Sequence, residues 1–194
     1  MYTILRIIRK LIRSFNVFMS KIDLRTISFV GNNVRLSRNL KVIGGTHIHL
    51  GDNIFLGDDC RIEAIDSYGD DEFKPVIRIG NGFSTNARLH IGSINRVVIG
   101  SNVLIGTNVL ITDHAHGRST LEEKNVSPEH RHLYSKGPVI IGSNSWICDN
   151  CVILPNVTLG ENVTVAAGAI VTSSFPSNCV IGGNPARILK RIKS

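Results

Sequence analysis

The sequence predicts a mainly β chain wound as a parallel β-helix, and three observations predict it. The first is a six-residue period: from Ile141 the chain reads IGSNSW, ICDNCV, ILPNVT, LGENVT, VAAGAI. The first position of each unit is Ile, Leu or Val (Ile141, Ile147, Ile153, Leu159, Val165), and the fifth is small or apolar (Ser145, Cys151, Val157, Val163, Ala169). The second is the Gly-Asx pairs set between the apolar positions, residues that accept the positive φ of a tight corner. The third is composition. Only 6% of the chain is aromatic, whereas Gly alone numbers 18, which suits short strands and turns better than a helical bundle. A unit of six supplies one strand and one turn, and only stacking on its neighbours buries its apolar first position.

The segments follow in order. Residues 1–25 read as a basic amphipathic helix: Ile4, Ile8, Leu11, Phe15, Phe18 and Ile22 recur at helical spacing, and Arg6, Arg9, Lys10 and Arg13 lie off that stripe. Two readings stay open for it, a helix packed on the coil or on a neighbouring subunit, and a helix lying at a membrane surface. Residues 26–181 hold the repeat, whose frame is visible in VGNNVR from Val30, LGDNIF from Leu50 and IGSNVL from Ile99. The frame slips by two near residues 42–50. It breaks into a polar loop at 66–76 and is interrupted completely by an extruded loop at 113–138. A long excursion from a solenoid buries little of its own and is usually functional or an assembly element. Residues 182–194, beginning GGNPARILKRIKS at Gly182, read as a turn and a short C-terminal helix that caps the stack.

Charge and cysteine usage narrow the function classes. At 194 residues, 42% hydrophobic and 19% charged, the chain has room for one soluble domain with a real core. Nine of the basic residues fall within residues 1–41 against Asp23 alone, so that segment carries +8 and the remainder −1. The basic balance is therefore local and does not argue for nucleic-acid binding across the fold. No apolar run approaches the ~20 residues needed to span a bilayer, and Arg6, Arg9, Lys10 and Arg13 interrupt what would be the apolar region of a signal peptide. Four cysteines form no disulfide framework, and a reduced cytoplasmic location is expected. Cys148-x-x-Cys151 has the spacing of half a zinc site or a redox pair, but Cys151 occupies the small fifth position of its unit, as Cys60 does in LGDDCR, so core packing is the expectation.

From about residue 77 to 191 the ordered pieces IRIGNGFSTNARLHI, VVIGSNVLIGTNVLITDHAHG, YSKGPVIIGSNSWI, TLGENVTVAAGAIVTS and GGNPARILK resemble the hexapeptide-repeat acyltransferases. The resemblance is to the branch that includes galactoside and maltose acetyltransferases and polysaccharide O-acetyltransferases. It implies a left-handed coil, against the usual right-handed crossover, and a homotrimer with active sites between subunits. It further implies direct transfer of an acetyl group from acetyl-CoA to a sugar hydroxyl, with no metal. His114 matches the family's catalytic histidine, and the chemistry suits it: a hydroxyl is a poor nucleophile and needs a base that titrates near neutrality. Asn86 falls where the family carries an asparagine facing that histidine across the subunit boundary, where an amide can orient the acceptor or help hold an oxyanion. Asp113 is expected to cap the turn or to orient His114, and the role of His116 is open. His130 and His132 are expected to be solvent or inter-subunit groups.

For acetyl-CoA the resemblance implies a groove along the C-terminal coils with Trp146, Asp149, Ala167, Thr172, Ser173, Arg187 and Lys190, the last two as partners for phosphates. Asp149 and Ala167 are eighteen residues apart, one full coil in this family. Two departures stand out: Ser173 where relatives often carry Lys, and Cys148-Asp149 in place of a Gly and a small residue. The expected acceptors are sugars of lipopolysaccharide O-antigen, capsule or exopolysaccharide precursors, met in the cytoplasm or at the inner face of the membrane. Two other functions use the same fold: a zinc enzyme of the γ-carbonic-anhydrase kind, with His90, His114 and His116 as candidate ligands, and a non-catalytic scaffold.

Overall fold

A computed structural model describes residues 2–193. A helix, α1 (Tyr2–Leu24), precedes a triangular coil whose three faces are parallel sheets. The first face has six strands, from Phe29–Val30 to Thr158–Leu159. The second has eight, from Arg35–Leu36 to Ala186–Arg191, and the third has six, from Lys41–Ile43 to Ile170–Val171. Each coil contributes one short strand to each face and then climbs one step.

The six-residue period maps onto this triangle. Ile141, Ile147, Ile153, Leu159 and Val165 point inward and are buried, and so are Ser145, Cys151, Val157, Val163 and Ala169. Complete burial of one such aliphatic side chain contributes about 1.5–3 kcal/mol, and the ladder repeats it on every coil. The corners are held by polar stacks: Asn102 donates to Asn144 at 3.3 Å and Asn108 to Asn150 at 2.9 Å. All four have φ between 56° and 60°, the left-handed region that Asn tolerates.

The coils are not all the same length. Trp146 pairs with Thr164, a step of 18, but Ser84 pairs with Leu104 and Arg35 with Phe55, steps of 20. The two additional residues sit at the corner between the third and first faces, where Gly44 (φ 63°) opens a short 3-10 turn over Gly45–His47. They account for the slip of the frame near residues 42–50.

One expectation changes, and two loops gain detail. The C-terminal segment is not a helix: Ala186–Arg191 is a strand that runs antiparallel to Cys179–Gly183. The last coil leaves an open row of N–H and C=O groups, and pairing with the chain's own end satisfies them, which overrides the helical leaning of ARILKRIK. The polar segment 66–76 carries a small antiparallel pair, Ser67–Tyr68 with Asp71–Glu72. The extruded loop is closed at its neck by Ala115 opposite Tyr134 and His116 opposite Leu133.

Candidate active site

His114 stands two residues beyond the end of a third-face strand, Leu110–Thr112, which lies between His90–Ser93 below and Val152–Ile153 above. Ile111 anchors that strand in the core, and Asp113 then turns inward at the corner and is fully buried. Its carboxylate binds the previous coil: Oδ1 accepts from the Ile94 N–H at 2.9 Å, and Oδ2 from Ser93 Oγ at 2.6 Å, Arg96 N–H at 2.7 Å and Asn95 N–H at 3.0 Å. Burial pushes the Asp113 pKa up, but hydrogen bonds from His114, Ser93 and the backbone of Ile94 and Asn95 outweigh it and hold the group below its ordinary value.

The charged carboxylate fixes the imidazole. His114 Nδ1 lies 3.2 Å from Asp113 Oδ1 and 3.2 Å from Thr112 Oγ1, whose hydroxyl is aimed at the His114 carbonyl at 3.3 Å. A carboxylate only accepts, so the proton of the neutral ring belongs on Nδ1 and Nε2 keeps the basic lone pair. Asp113 thus both caps the turn and orients His114; the two roles are one set of bonds.

Beneath the ring lies Gly92, in register with Thr112 above it and Glu63 below. A Cβ on Gly92 would come 3.1 Å from His114 Cε1 and 3.8 Å from His90 Nε2. Glu63 is buried, with Oε2 3.1 Å from His90 Nε2. Arg61 Nε lies against Oε1 as a charge contact, and Oε1 has no partner in hydrogen-bonding geometry. A buried carboxylate and a second histidine therefore underlie His114, a feature that one linear motif does not reveal because the three residues come from three successive coils.

His114 lines a cleft of about 480 Å³ with Arg118, Tyr134, Lys136, Asn156 and Thr172. Its outer wall is the extruded loop. The Arg118 guanidinium stacks over the Tyr134 ring at 4.1 Å, and the Arg118 N–H donates to both oxygens of Glu123. His116 turns elsewhere, with Nδ1 3.3 Å from the Tyr68 hydroxyl and the two rings edge to face. The same hydroxyl donates to the Glu129 carbonyl, and His132 Nδ1 lies 2.6 Å from Asp71 Oδ2. The two loops are thus tied to each other across the front of the coil.

Asn86 lies at a different corner, between the second and third faces, and lines a groove of about 370 Å³ with Leu104, Gly106, Trp146, Asp149 and Ala167. Leu104 and Trp146 are in register on adjacent coils and both exposed, which gives the groove an apolar wall. Asp149 spends its side chain on the coil below, accepting from the Thr107 N–H at 2.5 Å. Arg187 and Lys190 are exposed on the last strand of the same face, three strand spacings or about 14 Å from the Trp146 strand. Thr172 lines the His114 cleft instead, and the exposed Ser173 follows it in the chain. Within one chain the expected residues therefore divide between two clefts, with His114 in one and Asn86 in the other.

The remaining candidates resolve as packing. Cys151 is buried with its thiol against the Ala166 carbonyl at 3.2 Å, and burial pushes it up; Cys60 is pushed up to about 11 by burial. Both are core groups rather than ready thiolates. The three histidines weighed as zinc ligands each engage a different partner, His90 with Glu63, His114 with Asp113 and His116 with Tyr68, and they do not converge within the chain.

Comparison with known proteins follows the same lines. Residues 138–173 match the family described as bacterial transferase hexapeptide (six repeats). A protein of Escherichia coli K12 named as a lipopolysaccharide biosynthesis O-acetyl transferase, WbbJ, is 36% identical over 148 residues, covering 74% of this chain and 71% of that protein. Galactoside O-acetyltransferase of the same organism is 37% identical over 121 residues, 60% of this chain and 54% of that enzyme, so the chain matches about half of its length. Among solved structures, a maltose O-acetyltransferase from Clostridium difficile 630 superposes with a TM-score of 0.60 at 25% identity, over 94% of this chain and 87% of that one. The N-acyltransferase AntD from Bacillus cereus, in complex with dTDP and 3-hydroxybutyryl-CoA, reaches a TM-score of 0.72 at 21% identity, over 90% and 88%. That last likeness is one of fold.

Proposed function

The chain belongs to the bacterial hexapeptide-repeat transferases, has their left-handed parallel β-helix and is an acyltransferase, and from that premise we propose that it moves an acetyl group from acetyl-CoA to a sugar hydroxyl. The acceptor class is a building unit of lipopolysaccharide O-antigen or a related surface polysaccharide. The observation that carries this reading is the His114–Asp113 contact of 3.2 Å, which leaves Nε2 as the base at the wall of a 480 Å³ cleft. A sugar ring fits that volume, and Arg118, Lys136, Asn156 and Thr172 offer hydrogen bonds to its hydroxyls.

Two clefts on two corners become one site when a second copy sets its Asn86 corner against the His114 corner of the first. A closed trimer with three such sites accounts for the division. The apolar Leu104–Trp146 wall suits a pantetheine arm, and we assign Arg187 and Lys190, exposed on the last strand of the same face, to its phosphates. Acetyl-CoA supplies an activated acyl carbon on a thiolate leaving group. His114 Nε2 accepts the proton of the acceptor hydroxyl as its oxygen bonds to that carbon. The Asn86 amide of the neighbouring copy stabilises the oxyanion, and the imidazolium, held by Asp113, returns its proton to the departing sulfur.

The test pairs turnover with binding. The sole tryptophan, Trp146, reports on groove occupancy through its fluorescence. The His114→Ala enzyme is expected to bind acetyl-CoA as the wild type does and to lose turnover by about 10³-fold or more; undiminished turnover overturns the base assignment. An inactive His114→Ala chain co-assembled at equal amounts with an inactive Asn86→Ala chain is expected to regain roughly a quarter of wild-type activity, because a quarter of the junctions then pair an intact His114 with an intact Asn86. No recovery overturns the shared site.

A further inference from the structure

α1 is attached to its own protein by the wrong side. Twenty-three residues make a helix about 34 Å long, and where it meets the first coil it does so through the side opposite its apolar arc. Ser20 is buried, its hydroxyl accepting from the Leu40 N–H at 3.0 Å and donating to the Asn16 carbonyl at 3.0 Å. Val17 and Leu24 face the Val34–Leu36 strand region beside it. The apolar arc points away from the body. Leu11 is 65% exposed and Phe15 61%, and every residue from Ile4 to Phe15 is exposed. An amphipathic helix that belonged to the core would show the opposite arrangement.

The chemistry of the arc's borders identifies what covers it. At 100° per residue the apolar positions sweep about 160° of the surface. Lys10 and Lys21 border one edge, Arg9 borders the other, and Arg6 and Arg13 fill the remaining face. The only acidic residue in the helix is Asp23, at its base. Residues 1–41 carry +8 and the rest of the chain −1, so the chain's excess of positive charge lies in the helix and the coil residues next to it. Among the described residues no helix is long and apolar enough to cross a membrane. Apolar side chains flanked by unpaired cations match a layer that is apolar beneath and anionic above. Two copies of the helix laid face to face would instead bring the bordering cations of each, Arg9, Lys10 and Lys21, towards one another, with Asp23 as the one acidic residue of each helix to offset them.

We propose that α1 lies flat in the headgroup layer of an anionic membrane, with Ile4, Ile8, Leu11, Phe15, Phe18 and Ile22 immersed, and that the coil hangs from it by the Ser20–Leu40 contact. The inference is independent of the acetyl-transfer reading, because membrane binding requires no turnover. The test is flotation of the full chain with phosphatidylcholine vesicles containing about a third phosphatidylglycerol, beside pure phosphatidylcholine vesicles. The expected result is binding to the anionic vesicles about tenfold or more tighter than to the neutral ones, weakening as salt is raised. The double substitution Arg9→Gln with Arg13→Gln is expected to lower anionic-vesicle binding by about tenfold. Leu11→Asp with Phe15→Asp is expected to abolish it, with the assembled mass and thermal midpoint unchanged because those side chains pack on nothing in the fold. Absence of binding by the intact protein overturns the proposal. So does a Leu11→Asp, Phe15→Asp protein that floats normally but changes its assembled mass, since the arc is then covered by a second copy.

Discussion

A methyl group on the α-carbon of Gly92 would stand 3.1 Å from Cε1 of His114, tighter than ordinary van der Waals contact. The imidazole therefore rests directly on the backbone of the coil below, and glycine is what allows it to settle there. The strand backbone itself tolerates alanine at this point. Gly92→Ala is expected to lift the ring by a few tenths of an ångström and lower kcat about tenfold, with a thermal midpoint within a few degrees of wild type. Steady-state kinetics beside thermal unfolding check it; an unchanged kcat means that the ring position is not critical.

Asp113→Asn is expected to fail in two ways at once. An amide replaces one acceptor oxygen by a donor, and whichever side it takes it confronts at least one buried N–H donor, at a cost of about 2–4 kcal/mol. It also no longer holds the Nδ1 proton of His114, so kcat falls by about 10² or more while KM for the acceptor changes less. The pH dependence has a definite sign. A carboxyl whose folded pKa is depressed contributes stability that is present above its unfolded pKa and lost as pH falls through the folded value. Denaturation midpoints of the wild type should therefore decline on acidification below the ordinary carboxylate range, and those of Asp113→Asn should decline less.

The tether between the loops responds to pH in the opposite direction. The Asp71 hydrogen bond and charge raise the His132 pKa above its ordinary value. The bond is thus fully present below the unfolded histidine value and is lost as pH rises through the raised one. Hydrogen exchange at the neck and tip of the extruded loop, corrected for intrinsic rates, is expected to quicken from mildly acidic to mildly alkaline pH. In Asp71→Asn it should be fast throughout. Equal exchange at all pH values means the pair does not hold the loop.

Arg88 sits in the left-handed region (φ 59°) in a corner column otherwise made of Asn39, Asp59, Asn108 and Asn150. A residue with a long side chain holds that conformation at a cost of about 1 kcal/mol relative to Asn. Arg88→Asn is expected to stabilise the coil by about 1 kcal/mol and raise the thermal midpoint by roughly 2–4 °C. A fall in the midpoint would show that Arg88 makes a contact worth more than the strain it bears.

The coil was legible because its periodic positions are the buried ones. Ile141 to Val165 alternate between interior and corner with a fixed count, and no long-range information is needed to see it. His114 was legible for the opposite reason, since it stands where the count breaks. The strand at Ala186–Arg191 was not, because its conformation depends on an open sheet edge that local propensity does not register. Glu63 and Gly92 were equally hidden: Glu63 lies 51 positions before His114 and 27 before His90, and it meets them only through the stacking of coils. The Arg118–Tyr134 wall requires the loop to fold back on its own neck, which no six-residue frame encodes.

The Tyr68–Glu129 and His132–Asp71 contacts make residues 66–76 and 113–138 a single cassette rather than two independent excursions. His114 and the column beneath it belong to the scaffold, whereas most of the cleft's outer wall belongs to the cassette. A transplant that carried one loop alone from a relative would arrive without its fastening, and the graft would have to bring both. Whatever the cleft's outer wall selects in such a molecule would travel as a matched pair of loops, while His114 and Asp113 stay behind.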